Sequence, residues 1–221
     1  MRTLKFANDQ YYHIYNRGTD KRKIFLDDRD HFRFLLSLDL LNDNKDGLMI
    51  AWRDCLKSKP KARLSEFLIN EIRKRDYLVE IIAYCLNPNH YHLILKQLKE
   101  RGIERFCQKF SISYTKYFNE RNKRSGVLFQ GRTKSATIKT TGGLLYLSAY
   151  VNCNCEIHGI AEADNYKWSS FACYAEKRKD KLCRPADILS HFKNGKDYFQ
   201  FAKENAADMK IRKKEEKLLL E

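Results

Sequence analysis

The chain has 221 residues and a mass of 26.3 kDa, enough for one sizeable core, and its 43% hydrophobic and 13% aromatic content excludes disorder over most of its length. It carries 43 Lys and Arg against 28 Asp and Glu, a net charge of +15 that points to a polyanionic partner, with nucleic acid the commonest. No run approaches the roughly 20 apolar residues that span a bilayer, the opening MRTLKFANDQ lacks a signal peptide's apolar core, and seven cysteines is an odd count for a disulfide framework, so a reduced cytoplasmic protein with no membrane role is expected.

In chain order, Tyr11 to Asn16 is a β-rich run closed by Arg17-Gly18, a first strand with a turn behind it. Asp27 to Leu41 starts acidic and repeats Phe32, Leu35, Leu36, Leu38 and Leu40 at mostly helical spacing, which predicts a first helix. Residues 42–76 are polar, interrupted by Pro60, and read as an insertion with one helix over 64–74. Tyr77 to Leu86 is a nearly continuous strand that meets Asn87-Pro88-Asn89 and resumes as His90 to Leu95, a hairpin on a tight turn.

A second long helix is predicted from Gly102 to near Asn122, with Ile103, Phe106, Phe110 and Tyr117 as its apolar stripe. Val127 to Phe129 and Ala136 to Ile138 read as short strands around the polar link 130–134, and a third helix over 143–154 carries Leu144, Leu147, Tyr150 and Val151. From Trp168 onward the chain is helical and increasingly charged, ending in a loosely attached helix over 211–221. The division expected is a domain over 1–175, with the insertion at 42–76, and a basic helical extension over 176–221. The order strand, helix, hairpin, helix, strand predicts an α+β fold, a ferredoxin-like layer with helices packed on a largely antiparallel sheet.

Lys99 to Lys139 holds eleven Lys or Arg against three Glu, a net +8, and interleaves them with Tyr114, Tyr117 and Phe118. Lys109, Lys116, Arg121, Lys123, Arg124, Arg132 and Lys134 are therefore candidate phosphate contacts beside rings that can stack on bases, the alternative being a solvated helix face. His90 and His92, at i and i+2 of a strand, aim two imidazoles at one side and Tyr91 at the other, a pair able to share a divalent metal or to lie idle on a surface. Tyr150 and Asn154, four apart, share one helix face. A tyrosine hydroxyl is a poor nucleophile unless its electrophile is polarised, and an amide oxygen one turn on could be a third ligand; the pair could equally be a packed aromatic beside a helix end.

These residues resemble a known family. Asn87-Pro-Asn-His-Tyr-His-Leu-Ile-Leu95, Leu128-Phe-Gln-Gly-Arg-Thr-Lys-Ser135, Tyr146-Leu-Ser-Ala-Tyr-Val-Asn-Cys-Asn154 and Trp168-Ser-Ser-Phe171 stand in the order and spacing of the single-tyrosine HUH transposases, closest in look to the REP-associated tyrosine transposases, over roughly Gln10 to Tyr174. The resemblance implies a single-stranded DNA nickase and strand transferase acting on hairpin-forming DNA. It implies Mg²⁺ or Mn²⁺ on His90, His92 and Asn154, and Tyr150 as the nucleophile that leaves a 5′-phosphotyrosine and a free 3′-hydroxyl. The chain departs from the pattern in placing Cys155 where the family has Pro, and in the length of 42–76.

Other assignments compete with these. Tyr114 lies in the basic aromatic helix but has Phe118 rather than a ligand at i+4; Cys153, Cys155 and His158 make half a zinc site without a second pair at finger spacing; His13 and His31 read as ordinary strand and helix residues, with His13 left unassigned because its strand could neighbour the site. A non-cleaving DNA-binding protein on the same fold is the alternative function. A hydrolytic metallo-phosphoesterase is weaker, since no acidic residue accompanies the histidine pair. Relatives of this kind act either as monomers or as homodimers, and both are open here.

Overall fold

A computed structural model describes residues 5–72 and 74–218. The frame is β1 (Tyr11–Arg17), α1 (Asp28–Leu40), α2 (Leu48–Ser58), α3 (Leu64–Glu71), β2 (Val79–Asn87), β3 (His90–Gln97), α4 (Gly102–Arg121) and β4 (Lys134–Ile138). The four strands form one sheet in the order β2-β3-β1-β4, every neighbouring pair antiparallel, which is the α+β layer expected. After β4 come α5 (Thr141–Asn152), α6 (Asn154–Ile157), α7 (Phe171–Tyr174), α8 (Ala186–Leu189) and α9 (Gly195–Leu218).

Strand alternation sorts the two faces. Tyr91 of β3 points at α1 and α4, where it meets Phe34 at 5.3 Å and Phe110 at 5.6 Å between ring centroids, all three fully buried. His90 and His92 consequently point at the opposite face, which α5 and α6 cover. The hairpin between β2 and β3 pairs Asn87 with His90 across the two residues Pro88 and Asn89, and the Pro88 carbonyl accepts the N–H groups of Ile24 and Phe25 at 2.8 and 3.0 Å. That turn is thereby tied to the loop after β1. Gly18 in this loop is obligatory, because a Cβ there would stand 2.3 Å from the Arg22 carbonyl oxygen.

β2 is an edge strand, and later segments close it. Leu86 N–H donates to Trp168 O at 2.9 Å, Ser170 N–H to Tyr84 O at 2.9 Å, and Arg184 N–H to Ile81 O at 2.8 Å. Ser170 Oγ also reaches Asn152 Oδ1 at 2.5 Å, so the Trp168-Ser-Ser-Phe171 motif fastens α5 to the sheet edge. α9 lies along α5 through the buried stripe Tyr198, Ala202, Ala206 and Met209, and Asn152 Nδ2 donates to Tyr198 Oη at 2.7 Å. The end of the predicted terminal helix, 219–221, is outside the described residues.

Several sequence expectations change. The insertion holds two helices rather than one, closed on a small core of its own from Leu40, Leu48, Trp52 and Phe67, and its second helix stops at Glu71. Residues 127–129 form no strand; Phe129 makes one isolated bridge to Gly18, and Leu128 and Phe129 are buried as a plug beside Tyr91 and Tyr114. A short apolar run has the same composition in either role. The third helix breaks at Cys153 (φ −98°, ψ 12°), so Asn154 opens α6 instead of ending α5. Among the described residues no helix is long and apolar enough to cross a membrane, and all seven cysteines are free.

His31 makes the fold acid-sensitive. Its ring is stacked between Phe25 at 4.4 Å and Trp168 at 4.3 Å, and burial pushes its pKa below the ordinary 6.5. The unfolded chain therefore binds a proton there that the folded chain resists, so this contribution is complete above about 6.5 and is lost as the pH falls below it. Urea unfolding between pH 7 and 5 is expected to show a shallower loss of stability for His31→Gln than for the parent; equal slopes would assign the acid sensitivity to other groups.

Candidate active site

The turn delivers His90 and His92 to the α5 face with ring centroids 5.1 Å apart and planes at 90°. His90 Nδ1 lies 2.6 Å from Asn89 Oδ1, which can only accept, so Nδ1 carries the proton and Nε2 keeps its lone pair. Asn87 Nδ2 donates to that lone pair at 2.9 Å and to Asn154 Oδ1 at 2.6 Å, and His90 Nε2 and Asn154 Oδ1 are 3.1 Å apart. His92 is buried, and its Nδ1 is 2.8 Å from Nε2 of His13 on β1. Tyr150 of α5 presents its ring edge-on to both, at 5.4 Å from His92 and 6.0 Å from His13. The predicted set His90, His92, Tyr150 and Asn154 is thus brought together, although the helix breaks between the last two.

His90, His92 and Tyr150 line a cleft of about 380 Å³ with Tyr15, Arg17, Lys21, Lys134 and His158 at its walls, and Asn154 lies fully buried behind His90. Burial pushes His13 down to about 4 and His92 and His90 below the usual imidazole range, with the neighbouring imidazoles and Lys213 adding for His92, and Lys213 and Arg17 adding for His90 against the opposing Asn154 hydrogen bond. Each of these imidazoles is therefore neutral at neutral pH and keeps one ring nitrogen with a free lone pair. Burial raises the Tyr150 phenol while the nearby Asn154 amide pulls it back, so at neutral pH the hydroxyl holds its proton.

The basic residues divide. Lys134 pairs across the sheet with Tyr15, lies 6.0 Å over its ring and reaches the cleft. Lys116 and Arg132 line a neighbouring groove that shares Asn16 with the cleft, and Lys123 is exposed just beyond α4. Lys109 is turned away onto Asp43 O at 2.7 Å and Asp46 at 2.9 Å, Arg121 is held by Asp27 and the buried Asp30, and Arg124 by Asn119 and the Val127 carbonyl. α4 itself is on the face opposite His90. Tyr114 is fully buried there and donates to Ile24 O at 2.6 Å.

Cys153, Cys155 and His158 do not converge. Among the described residues the only such group of three is Glu156, Glu162 and Asp164, and Lys203 lies among them at 2.6, 3.1 and 3.6 Å. Sequence spacing gives Asn87, Arg17 and Lys21 no role at the site, leaves His13 unassigned, and groups His158 with Cys153 and Cys155 instead. Period-two alternation places His13 on the same side of β1 as Tyr15, but its partner is visible only once β1 pairs with β3 and Tyr15 stands opposite His92.

Residues 49–154 match the sequence model of the family described as "Transposase IS200 like". A solved structure described as "Structure of the REP associates tyrosine transposase bound to a REP hairpin" has the same fold, with a TM-score of 0.50 at 12% identity over 83% of this chain and 96% of that one. No curated protein matches the chain significantly. The matched segment runs from α2 to Asn154 and so contains the histidine pair, Tyr150 and the turn that presents them. Over residues 49–154 the chain is therefore similar to the IS200-like transposases, and it shares its fold with the solved hairpin-bound structure.

Proposed function

We propose that the chain is a metal-dependent single-stranded DNA endonuclease and strand transferase of transposase type, with Tyr150 as nucleophile and hairpin-forming DNA as substrate. The observation that carries the reading is the meeting of β3 and α5, where two imidazoles and a tyrosine share one cleft walled by cations, with the Asn154 amide oxygen buried beside His90. The hairpin substrate is suggested by the solved relative, which is bound to one. On this reading 1–175 is the nuclease unit and 176–221 an extension laid against it by α9.

The residues fit a divalent ion. The 3.1 Å between His90 Nε2 and Asn154 Oδ1 is close to the roughly 3 Å edge between adjacent ligands about 2.1 Å from such an ion. Mg²⁺ or Mn²⁺ on His90, His92 and Asn154 would supply Lewis-acid polarisation of a phosphoryl oxygen. The donor set carries no charge, so affinity is modest, and imidazole favours Mn²⁺.

The chain's own residues do the rest. Tyr150 Oη forms a bond to phosphorus as the bond from phosphorus to the 3′-oxygen breaks, and that oxygen takes the electron pair. The phenol gives up one proton and the 3′-oxygen gains one, leaving a 5′-phosphotyrosine and a 3′-hydroxyl that can reverse the step without water or a nucleotide. Arg17, Lys21 and Lys134 offset the phosphate charge at the walls.

The test is to incubate the full chain with labelled single-stranded hairpin DNA and Mn²⁺ and to resolve the products on a denaturing gel. A covalent protein–DNA adduct is expected. Binding with intact DNA would leave a non-cleaving binder, and cut ends without an adduct would favour a hydrolytic phosphoesterase.

A further inference from the structure

The C-terminal helix reaches the cleft through a second histidine pairing. His158, the residue after α6, has its ring centroid 4.9 Å from that of His90, and Lys213 of α9 brings Nζ to 2.7 Å from His158 Nδ1. An ammonium has three hydrogens and no lone pair, so it can only donate. His158 Nδ1 must accept, and the single imidazole proton is fixed on Nε2. The ring is exposed in the cleft that Tyr150 also lines, and Nε2 has no hydrogen-bond partner among the described residues.

A nitrogen that carries its proton offers no lone pair. It is neither a metal ligand nor a general base in this state, and His158 does not converge with His90 and His92 into a three-residue metal set. What it does offer is a neutral N–H at the wall of a site that must hold a phosphodiester, beside the cation that orients it. Such a donor grips an anionic oxygen.

We propose that His158 is a substrate-contacting residue, donating its Nε2–H to a phosphate oxygen of the DNA strand beside Tyr150, and that Lys213 positions it by holding the tautomer. This rests on the reading of the cleft as the DNA site. α9 then completes the site from within the same chain, and the oxygen acceptor it serves is a phosphodiester of single-stranded DNA.

The full chain is labelled with ¹⁵N at histidine, and long-range ¹H–¹⁵N correlation reads the His158 ring without metal. An Nε2–H tautomer at pH 7 is expected, with the Nε2 signal shifting on addition of hairpin DNA at the midpoint that fluorescence anisotropy gives for binding. Lys213→Met is expected to mix the tautomers, and Lys213→Arg to retain the parental one. An Nδ1–H tautomer, or a His158 signal unmoved by DNA that demonstrably binds, would overturn the proposal. In adduct assays His158→Ala is expected to slow single-turnover formation about 10- to 100-fold. His158→Gln, which keeps an N–H near the Nε2 position, is expected to recover most of the rate, and a Gln variant no faster than the Ala variant counts against the donor role. Should the parent form no adduct at all, the cleavage reading fails by itself, and the DNA-induced shift still decides whether His158 touches phosphate.

Discussion

Tyr150→Phe is expected to abolish the covalent protein–DNA adduct while leaving affinity for hairpin DNA within about threefold of the parent, because it removes one oxygen and no charge from a phosphate-tracking surface. The Phe ring keeps the edge-on packing against His92 and His13, at 5.4 and 6.0 Å in the parent, so the imidazole pair stays in place. Denaturing electrophoresis reads the adduct and anisotropy the binding. An undiminished adduct would move the nucleophile elsewhere. Tyr114 is then no candidate, since its hydroxyl is buried against Ile24 O on the far face of the sheet. Tyr15 is the next to test, because it lines the cleft and stacks on His13 and His92 at 4.8 and 5.6 Å.

His90→Ala and His92→Ala are each expected to remove cleavage at any practical metal concentration, and EDTA to do the same to the parent. Each variant deletes a nitrogen donor that water replaces poorly. Asn154→Ala is a different case. In the proposed metal set it removes an oxygen ligand that water can replace, so excess Mn²⁺ is expected to restore part of the activity, at a stability cost of about 1–3 kcal/mol for the disturbed buried hydrogen bonds around Asn87. Titration of Mn²⁺ by electron paramagnetic resonance separates the two classes, through weakened binding for all three variants and activity rescue for Asn154→Ala alone. Full cleavage by a His90/His92 double variant, or in EDTA, would remove the metal from the mechanism.

Eleven cations between Lys99 and Lys139 mark the region as basic, yet Lys109 and Arg121 are drawn off by Asp43, Asp46, Asp27 and Asp30, which come from distant parts of the chain. A charge tally along a segment cannot count partners that arrive by folding. Arg17 and Lys21 show the converse, since both lie outside the 99–139 block and both stand at the cleft. The missed helix α2 has the same origin, because Leu48 and Trp52 are buried by Leu40 and Phe67 rather than by an apolar stripe long enough to announce itself.

What the chain determined alone is whatever depends on short-range periodicity. Two imidazoles on one side of a strand follow from a spacing of two, the hairpin from Asn87-Pro88-Asn89, and the nearness of Tyr150 and Asn154 from a spacing of four that survives the helix break. Tertiary structure alone decided the company these residues keep. His13 meets His92 across 79 residues because β1 inserts beside β3, and Lys213 meets His158 across 55 because α9 docks on α5 and α6. Sheet order and helix docking are set by the burial of the whole apolar surface, a property of the assembled core that no local stretch of sequence contains.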